Sequence, residues 1–352
     1  MAVIGAGPAG AVAAHRLASA GRSVLLLDPH MAGTAPPKPG DALPGAALRI
    51  LSACGLPSPA QSGAHRPILG NVSAWGAATP VYRDFLSEPD GPGWRLNRSA
   101  FEADLIAAAR SAGVVTLAIG LKRVSREDEA WRLDLRGETT LARWLIDATG
   151  RRAFVSRQLG ARRHCDESLI ALLGYARADT RYRMERNLVE TAAEGWWYAA
   201  LLPRRGPVFI LHTRPIQIRS GLAHPDFWRS ALATTHLIAS AFPDPVIEGP
   251  LRGYEACGSW LAPIAGDGWV ACGDAALSFD PCSGQGLLSA IRGGMAAADA
   301  VAGALEGDAA QMGAYAALLA NARQIYRHRV RAHYAQETRW HGSDFWSIGV
   351  PS

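Results

Sequence analysis

The residues best suited to chemistry in this chain fall in three short runs: GAGPAG at 5–10, DATG at 147–150 and CGDAALSFDPCSGQG at 272–286. In the first, glycines spaced two and then three apart after an apolar strand make a turn that cradles phosphate. Gly5 permits the tight bend, Gly7 lets the backbone approach a pyrophosphate, and Gly10 allows a helix to pack closely on the sheet. Ala9 belongs to the same turn, where free N–H groups and the positive end of a helix dipole face an anion. Asp28 ends the apolar run 23–27, where a carboxylate can accept both hydroxyls of a ribose and disfavours a 2′-phosphate. Asp274 ends a second apolar strand, at the sheet edge where open α/β folds bind ligands, and offers an acceptor to a ribityl chain. Residues 280–286 shape a loop into a helix N-terminus, whose N–H groups stabilise charge on a reduced ring. Taken together, the three runs form a binding frame for FAD.

Such groups work only if a particular set of elements holds them. The pattern predicts a strand at 2–4, a helix at 11–20 and a strand at 23–27. A proline- and glycine-rich loop at 35–40 then leads through Asp41 into a helix ending near Gly55. In a flavin fold this segment passes close to the isoalloxazine ring, where glycine permits near approach. A helix is expected over 97–112, with Ser99 as its cap three residues before Glu102. Strands follow at 114–118, 122–124, 130–135 and 142–147, with a hairpin turn at Gly137. From 169 the pattern changes to strands at 169–176, 195–202 and 208–212 and a helical stretch at 227–241. The nucleotide-binding pattern resumes at 268–274 and enters a helix at 286–305, and a last helix runs to about 340. The expected fold is α/β: a Rossmann-like FAD-binding domain (1–70, 95–155 and 258–308) interleaved with a smaller mixed-sheet substrate domain (71–94 and 156–257). A helical C-terminal section covers 309–352.

Composition narrows the function classes. The chain has 352 residues, 49% of them hydrophobic and 19% charged, enough for two packed domains and against disorder. Its net charge of +5 comes almost wholly from arginine, since lysine occurs only at Lys38 and Lys122. The densest basic group is Arg323, Arg327, Arg329 and Arg331 with His328 and His333. No nucleic-acid motif or basic aromatic sheet accompanies it, so it reads as a solvated helix or a docking face for an acidic protein, and no nucleic-acid partner is expected. The five cysteines are an odd number without a CxxC pair, which argues against a disulfide framework and a metal site. No apolar run approaches the length of a membrane span, so no membrane association and a cytoplasmic location are expected.

In this order the three runs resemble the p-hydroxybenzoate-hydroxylase-type flavoproteins, which include aromatic monooxygenases, flavin-dependent halogenases and geranylgeranyl reductases. Further runs are PGDALP at 39–44, AWG at 74–76, DF at 84–85, GWRLNR at 93–98 and EGWWY at 194–198, with a tail carrying Tyr334, Glu337, Arg339, Trp340, Phe345 and Trp346. This set is similar to the flavoprotein maturases that modify tryptophan in partner amine oxidases or amine dehydrogenases, building their tryptophyl-quinone cofactors. The resemblance implies that Gly5, Gly7, Ala9, Gly10 and Asp28 hold the ADP half of FAD. It puts Arg98 at the phosphate or ribityl region, Val124 at the adenine through its backbone, and Asp41 and Gly150 beside the cofactor. Asp274 would bind the ribityl chain, with Pro281, Gly284, Gln285 and Gly286 beside the ring.

Trp196, Trp197 and Tyr198 would form an aromatic wall of the substrate pocket or simply core, with His212 a candidate base or a structural histidine. Cys282 could link covalently to flavin or only pack. No catalytic residue follows from the resemblance. Two departures bear on the chemistry. NAD(P)H-using hydroxylases carry GADG where this chain has DATGR, so a separate flavin reductase becomes a candidate electron donor beside NAD(P)H. Halogenases of this kind need a lysine beyond the glycine-acid loop. None lies between Lys38 and Lys122, and arginine, always protonated, cannot replace it. The expectation is an FAD-dependent monooxygenase hydroxylating an aromatic ring, a peptidyl tryptophan in the precursor of a quinone-cofactor enzyme. A hydroxylase of a small aromatic metabolite and an isoprenoid reductase are the alternatives.

Overall fold

A computed structural model describes residues 1–31, 40–308 and 310–347. The expected loop segment 35–39 lies outside the described residues. The first motif folds as β-α-β: strand Ala2–Ile4, helix Pro8–Ser19 and strand Leu25–Leu27. These strands join a six-stranded sheet ordered Ala265–Gly266, Trp269–Ala271, Leu145–Asp147, Ala2–Ile4, Leu25–Leu27, Val115–Leu117. All pairings are parallel except the first. The central strands AVI, LID and WVA are buried throughout, as strands covered on both faces require. Helix Pro8–Ser19 packs against Arg98–Ser111 and against the small-residue helix Gly286–Leu305. A hairpin layer of Leu121–Glu127, Ala130–Leu135 and Thr139–Ala142 flanks this sheet, turning at Gly137.

The second large sheet has seven strands, ordered Ile247–Glu255, Ile170–Ala176, Gly206–Thr213, Gly195–Leu202, Arg186–Ala192, Gly70–Ala74, Val81–Asp84. Its side chains alternate between two cores, as the period of two demands. One face carries Trp197, Phe209 and Leu211 against the helices Pro225–Ala233 and Leu237–Ala241. The opposite face carries Trp196, Ala200 and Ile210 against Trp75 and Phe345. The C-terminal helix Ala310–Tyr334 packs on Gly286–Leu305 and touches loop 280–286, and its end at Tyr334 joins the second face together with Phe345 of the short helix Asp344–Ser347.

Several expectations change in detail. The 97–112 helix is capped by Asn97, whose Oδ1 accepts the Ala100 N–H, with Ser99 inside the first turn. The 142–147 strand is two, because Ala142 ends the hairpin layer while Leu145 starts a strand of the parallel sheet. The 227–241 helix is also two, broken at 234–236, where the buried Glu190 carboxylate accepts the His236 and Ile238 N–H groups. Helix Phe154–Gln158 crosses the expected boundary at 155.

Candidate active site

The turn after the first strand is built by contact distances. Gly5 has φ +104°, and a Cβ on it would lie 2.2 Å from the Ala148 carbonyl oxygen. A Cβ on Gly10 would lie 1.9 Å from the Gly5 oxygen, so this glycine sets the helix-to-strand spacing. A Cβ on Gly7 would meet nothing within 4 Å. Gly7 faces a cavity instead, and no side chain caps the helix behind it. Asp28 stands on the same cavity, with Oδ2 accepting the Ala6 N–H and Oδ1 the His30 N–H, both at 2.8 Å. These bonds aim the carboxylate while leaving it acceptor capacity.

The cavity measures about 1340 Å³, more than the roughly 300–1000 Å³ of a typical ligand pocket. Gly5, Gly7, Ala9, Asp28 and residues 119–122 line its one end, and Asp41, Arg98, Gly150, Asp274, Pro281, Gly284, Gln285 and Gly286 its middle. Arg98 donates from Nη1 to the Gly40 oxygen and from Nη2 to Glu102 at 2.6 Å. Arg151 bonds the Cys257 oxygen and, at 3.1 Å, the Phe279 oxygen, and its Nε lies 3.7 Å from Asp274 Oδ2. Burial raises the Asp274 pKa, opposed by Arg151. Asp147 works inside the fold: its carboxylate accepts four bonds, from the N–H and hydroxyl of both Thr149 and Ser156. It therefore pins the turn that carries Gly150.

Three expected residues are not on the cavity lining. Val124 lies on the hairpin layer with its N–H donated to Gln158, while Ile119, Gly120, Leu121 and Lys122 line the cavity. Trp197 is fully buried on the helix-covered face, edge-on to Trp228 at 5.1 Å between centroids. Strand alternation sends its neighbours Trp196 and Tyr198 to the cavity face, so Trp197 is core rather than pocket. Gly10 is likewise off the lining, at the packing contact described above.

The far end of the cavity is aromatic and polar, lined by Trp75, Trp196, Tyr198 and His212 with Asn71 and Asn187. The Trp196 and His212 rings stack 3.6 Å apart at 11°. Burial pushes His212 down to about 3, so it is a neutral imidazole at working pH and no reservoir of protons. Below this wall lies Arg95, a residue that sequence reasoning missed and that is 2% exposed. It donates to Asp41 at 3.1 Å, Tyr198 at 3.2 Å and Asn187 at 2.8 Å. A charged residue between Trp94 and Leu96 in the run GWRLNR was the signal available. Burial, then the charge of Asp280, raises the Cys282 thiol well above its usual range, so it is held as a neutral thiol.

Away from the cavity, Cys165, Glu255 and Cys257 bring their ligating atoms within 4.8 Å of one another. The Arg163 guanidinium donates to Glu255 at 2.7 Å and to Cys257 Sγ at 3.6 Å.

A parallel sheet with an uncapped glycine turn, an acid at the end of its second strand and a loop-to-helix entry across the cavity defines a dinucleotide-binding flavoprotein. The chain belongs to the FAD binding domain family, whose pattern matches residues 1–317, and FAD is its cofactor. The open positions at Gly7, Gly284 and Gly286, where a Cβ would touch nothing, fit that molecule. The chain is 27% identical over 354 residues to LodB of Marinomonas mediterranea, described as an FAD-dependent oxidoreductase, covering 98% of this chain and 95% of that protein. It is 30% identical over 314 residues to a menaquinone reductase of Mycobacterium tuberculosis, covering 84% and 75%. Among solved structures it resembles QhpG, a peptidyl tryptophan dihydroxylase essential for tryptophylquinone cofactor biogenesis. The TM-score is 0.80 at 22% identity, over 98% of this chain and 77% of that one. The protein is an FAD-dependent oxidoreductase. Among the described residues, no helix is long and apolar enough to cross a membrane.

Proposed function

We propose that this protein hydroxylates a tryptophan side chain within a polypeptide, the precursor of a quinone-cofactor amine oxidase or dehydrogenase. The observation that carries this reading is that Trp75, Trp196, Tyr198 and His212 line the same cavity as loop 280–286. The likeness to LodB and to the tryptophan-modifying QhpG supports it. Bound FAD supplies the electrons that activate dioxygen; the balance is R–H + O₂ + 2e⁻ + 2H⁺ giving R–OH and water. Gly7, Ala9 and the first turn of the helix hold the pyrophosphate, Asp28 the ribose, Asp274 the ribityl chain, and Arg98 the phosphate side. The 280–286 turn presents its N–H groups to the ring. Trp196 and Tyr198 confine an aromatic ring and exclude water, while neutral His212 offers a hydrogen bond without carrying charge.

The test is to incubate the FAD-loaded protein, a flavin reductase, NADH and dioxygen with the candidate precursor and measure the precursor mass. A gain of about 16 or 32 Da on a tryptophan peptide is expected, being one or two inserted oxygens. An unchanged precursor, with turnover of a free aromatic or an isoprenoid quinone, overturns the proposal. Bleaching of the flavin by NAD(P)H alone, without oxygen, would identify the direct donor.

A further inference from the structure

A single oxygen atom joins the aromatic wall to the flavin loop. The Tyr334 hydroxyl accepts the Trp196 Nε1–H at 2.9 Å and donates to Asp280 Oδ2 at 2.8 Å. Asp280 opens the 280–286 turn, and its Oδ1 accepts the Cys282 N–H at 2.8 Å. Eight residues earlier on the same C-terminal helix, Tyr326 accepts the Asp280 N–H at 3.0 Å. We propose that Tyr334 is the positioning residue of the flavin loop, fixing the Asp280 carboxylate and tying its placement to the Trp196 indole of the substrate wall.

The balance of forces at Asp280 gives the hydroxyl leverage. Asp280 is 2% exposed, and burial favours its neutral form. Opposing that are the Cys282 N–H, the Tyr334 hydroxyl and the charge of Arg151. Glu167 also faces it; burial chiefly, then Asp280 and Asp166, push that carboxyl up to about 7 against the Gly258 N–H and Arg151. Tyr326 remains a neutral phenol beside both acids. With three carboxyls, Asp280, Glu167 and Asp274, sharing the Arg151 guanidinium, loss of one hydroxyl donor changes how readily Asp280 holds its charge. A displaced or protonated Asp280 would reorganise the turn that presents N–H groups to the ring.

The test compares Tyr334→Phe with Tyr326→Phe, each of which removes one bond between helix and loop. Tyr334→Phe keeps its ring against Trp75 and Trp346. In the FAD-loaded protein, the flavin absorbance titration from pH 5 to 9 should move upward by about one unit in Tyr334→Phe, the worth of one hydrogen bond to a carboxylate. Tyr326→Phe, whose lost bond is to the backbone, should leave it in place. In ¹⁵N-tryptophan-labelled, FAD-loaded protein, the Trp196 indole N–H signal should move upfield in Tyr334→Phe only. Trp196→Phe, which removes the donor to Tyr334 while keeping an aromatic ring beside His212, should give a smaller titration shift of the same sign. The proposal is overturned if Tyr334→Phe titrates as wild type, if Tyr326→Phe shifts as far, or if the Trp196 signal stays put. These readouts need no substrate, so they stand apart from the hydroxylation reading on which the role of the loop rests.

Discussion

Replacing Arg95 with methionine should be among the most damaging single changes at the aromatic end. The guanidinium is 2% exposed and makes three side-chain bonds, to Asp41, Tyr198 and Asn187. Methionine fills much of the volume but leaves the Asp41 carboxylate, 7% exposed, with the Tyr198 hydroxyl at 3.3 Å in place of a cation. Removing one member of a buried ion pair costs about 3–5 kcal/mol. Against a total stability of about 5–15 kcal/mol for a folded protein, that is a large share. Asp41→Asn should cost a similar amount by stranding the arginine. The double variant should cost less than the sum of the two singles, since each single leaves a buried charge unpaired and the double leaves none. Urea unfolding of the four proteins, read by tryptophan fluorescence, should give an interaction energy of about 2–3 kcal/mol, the upper range for contacting residues. An Arg95→Met protein within about 1 kcal/mol of wild type, or an interaction energy below about 0.5 kcal/mol, would refute the account of this network.

Other consequences can be checked together. Gly7→Ala should fold normally and lose FAD affinity by tenfold or more, because its methyl enters the cavity. Gly10→Ala should lose stability as well, because its methyl meets the Gly5 oxygen at 1.9 Å; flavin absorbance and thermal melts separate the two. Trp197→Ala should cost about 3–5 kcal/mol as a core truncation, whereas Trp196→Phe should change substrate handling with little loss of stability. His212, about 3 when folded and 6.5 when unfolded, binds protons preferentially in the unfolded chain between those values. Stability should therefore fall as pH drops below 6.5, by about 2 kcal/mol at pH 5, and His212→Gln should flatten this dependence in urea melts. Burial alone would raise Glu337, but bonds from Arg339, Thr191 and Gly76 outweigh it and hold the carboxyl at about 2. Its contribution is present above pH 4.5 and lost as pH falls toward 2, a slope that Glu337→Gln should remove.

The parts of the site legible in sequence are those fixed by neighbours along the chain. The glycine spacing at 5–10, the acid ending the second strand and the helix 286–305 follow from local rules, since turn geometry and strand ends involve a few consecutive residues. The hairpin strand Ala130–Leu135 and the strand Gly195–Leu202 were legible for the same reason. That Val124 stands off the cavity lining was not, because which strand residue reaches the cavity depends on the register of one layer against another.

The sequence by itself determined that this chain binds a dinucleotide flavin, and that two adjacent tryptophans lie on one strand. Only the tertiary structure decided which of them faces the cavity: Trp196 pairs in register with His212 and Trp197 with Leu211, and a pleated strand sends the two to opposite faces. It alone assembled Arg95 with Asp41, Asn187 and Tyr198, and Tyr334 with Trp196 and Asp280, across separations of up to 157 residues. No local spacing encodes such meetings, because desolvated polar groups find partners wherever the packed sheets bring them together.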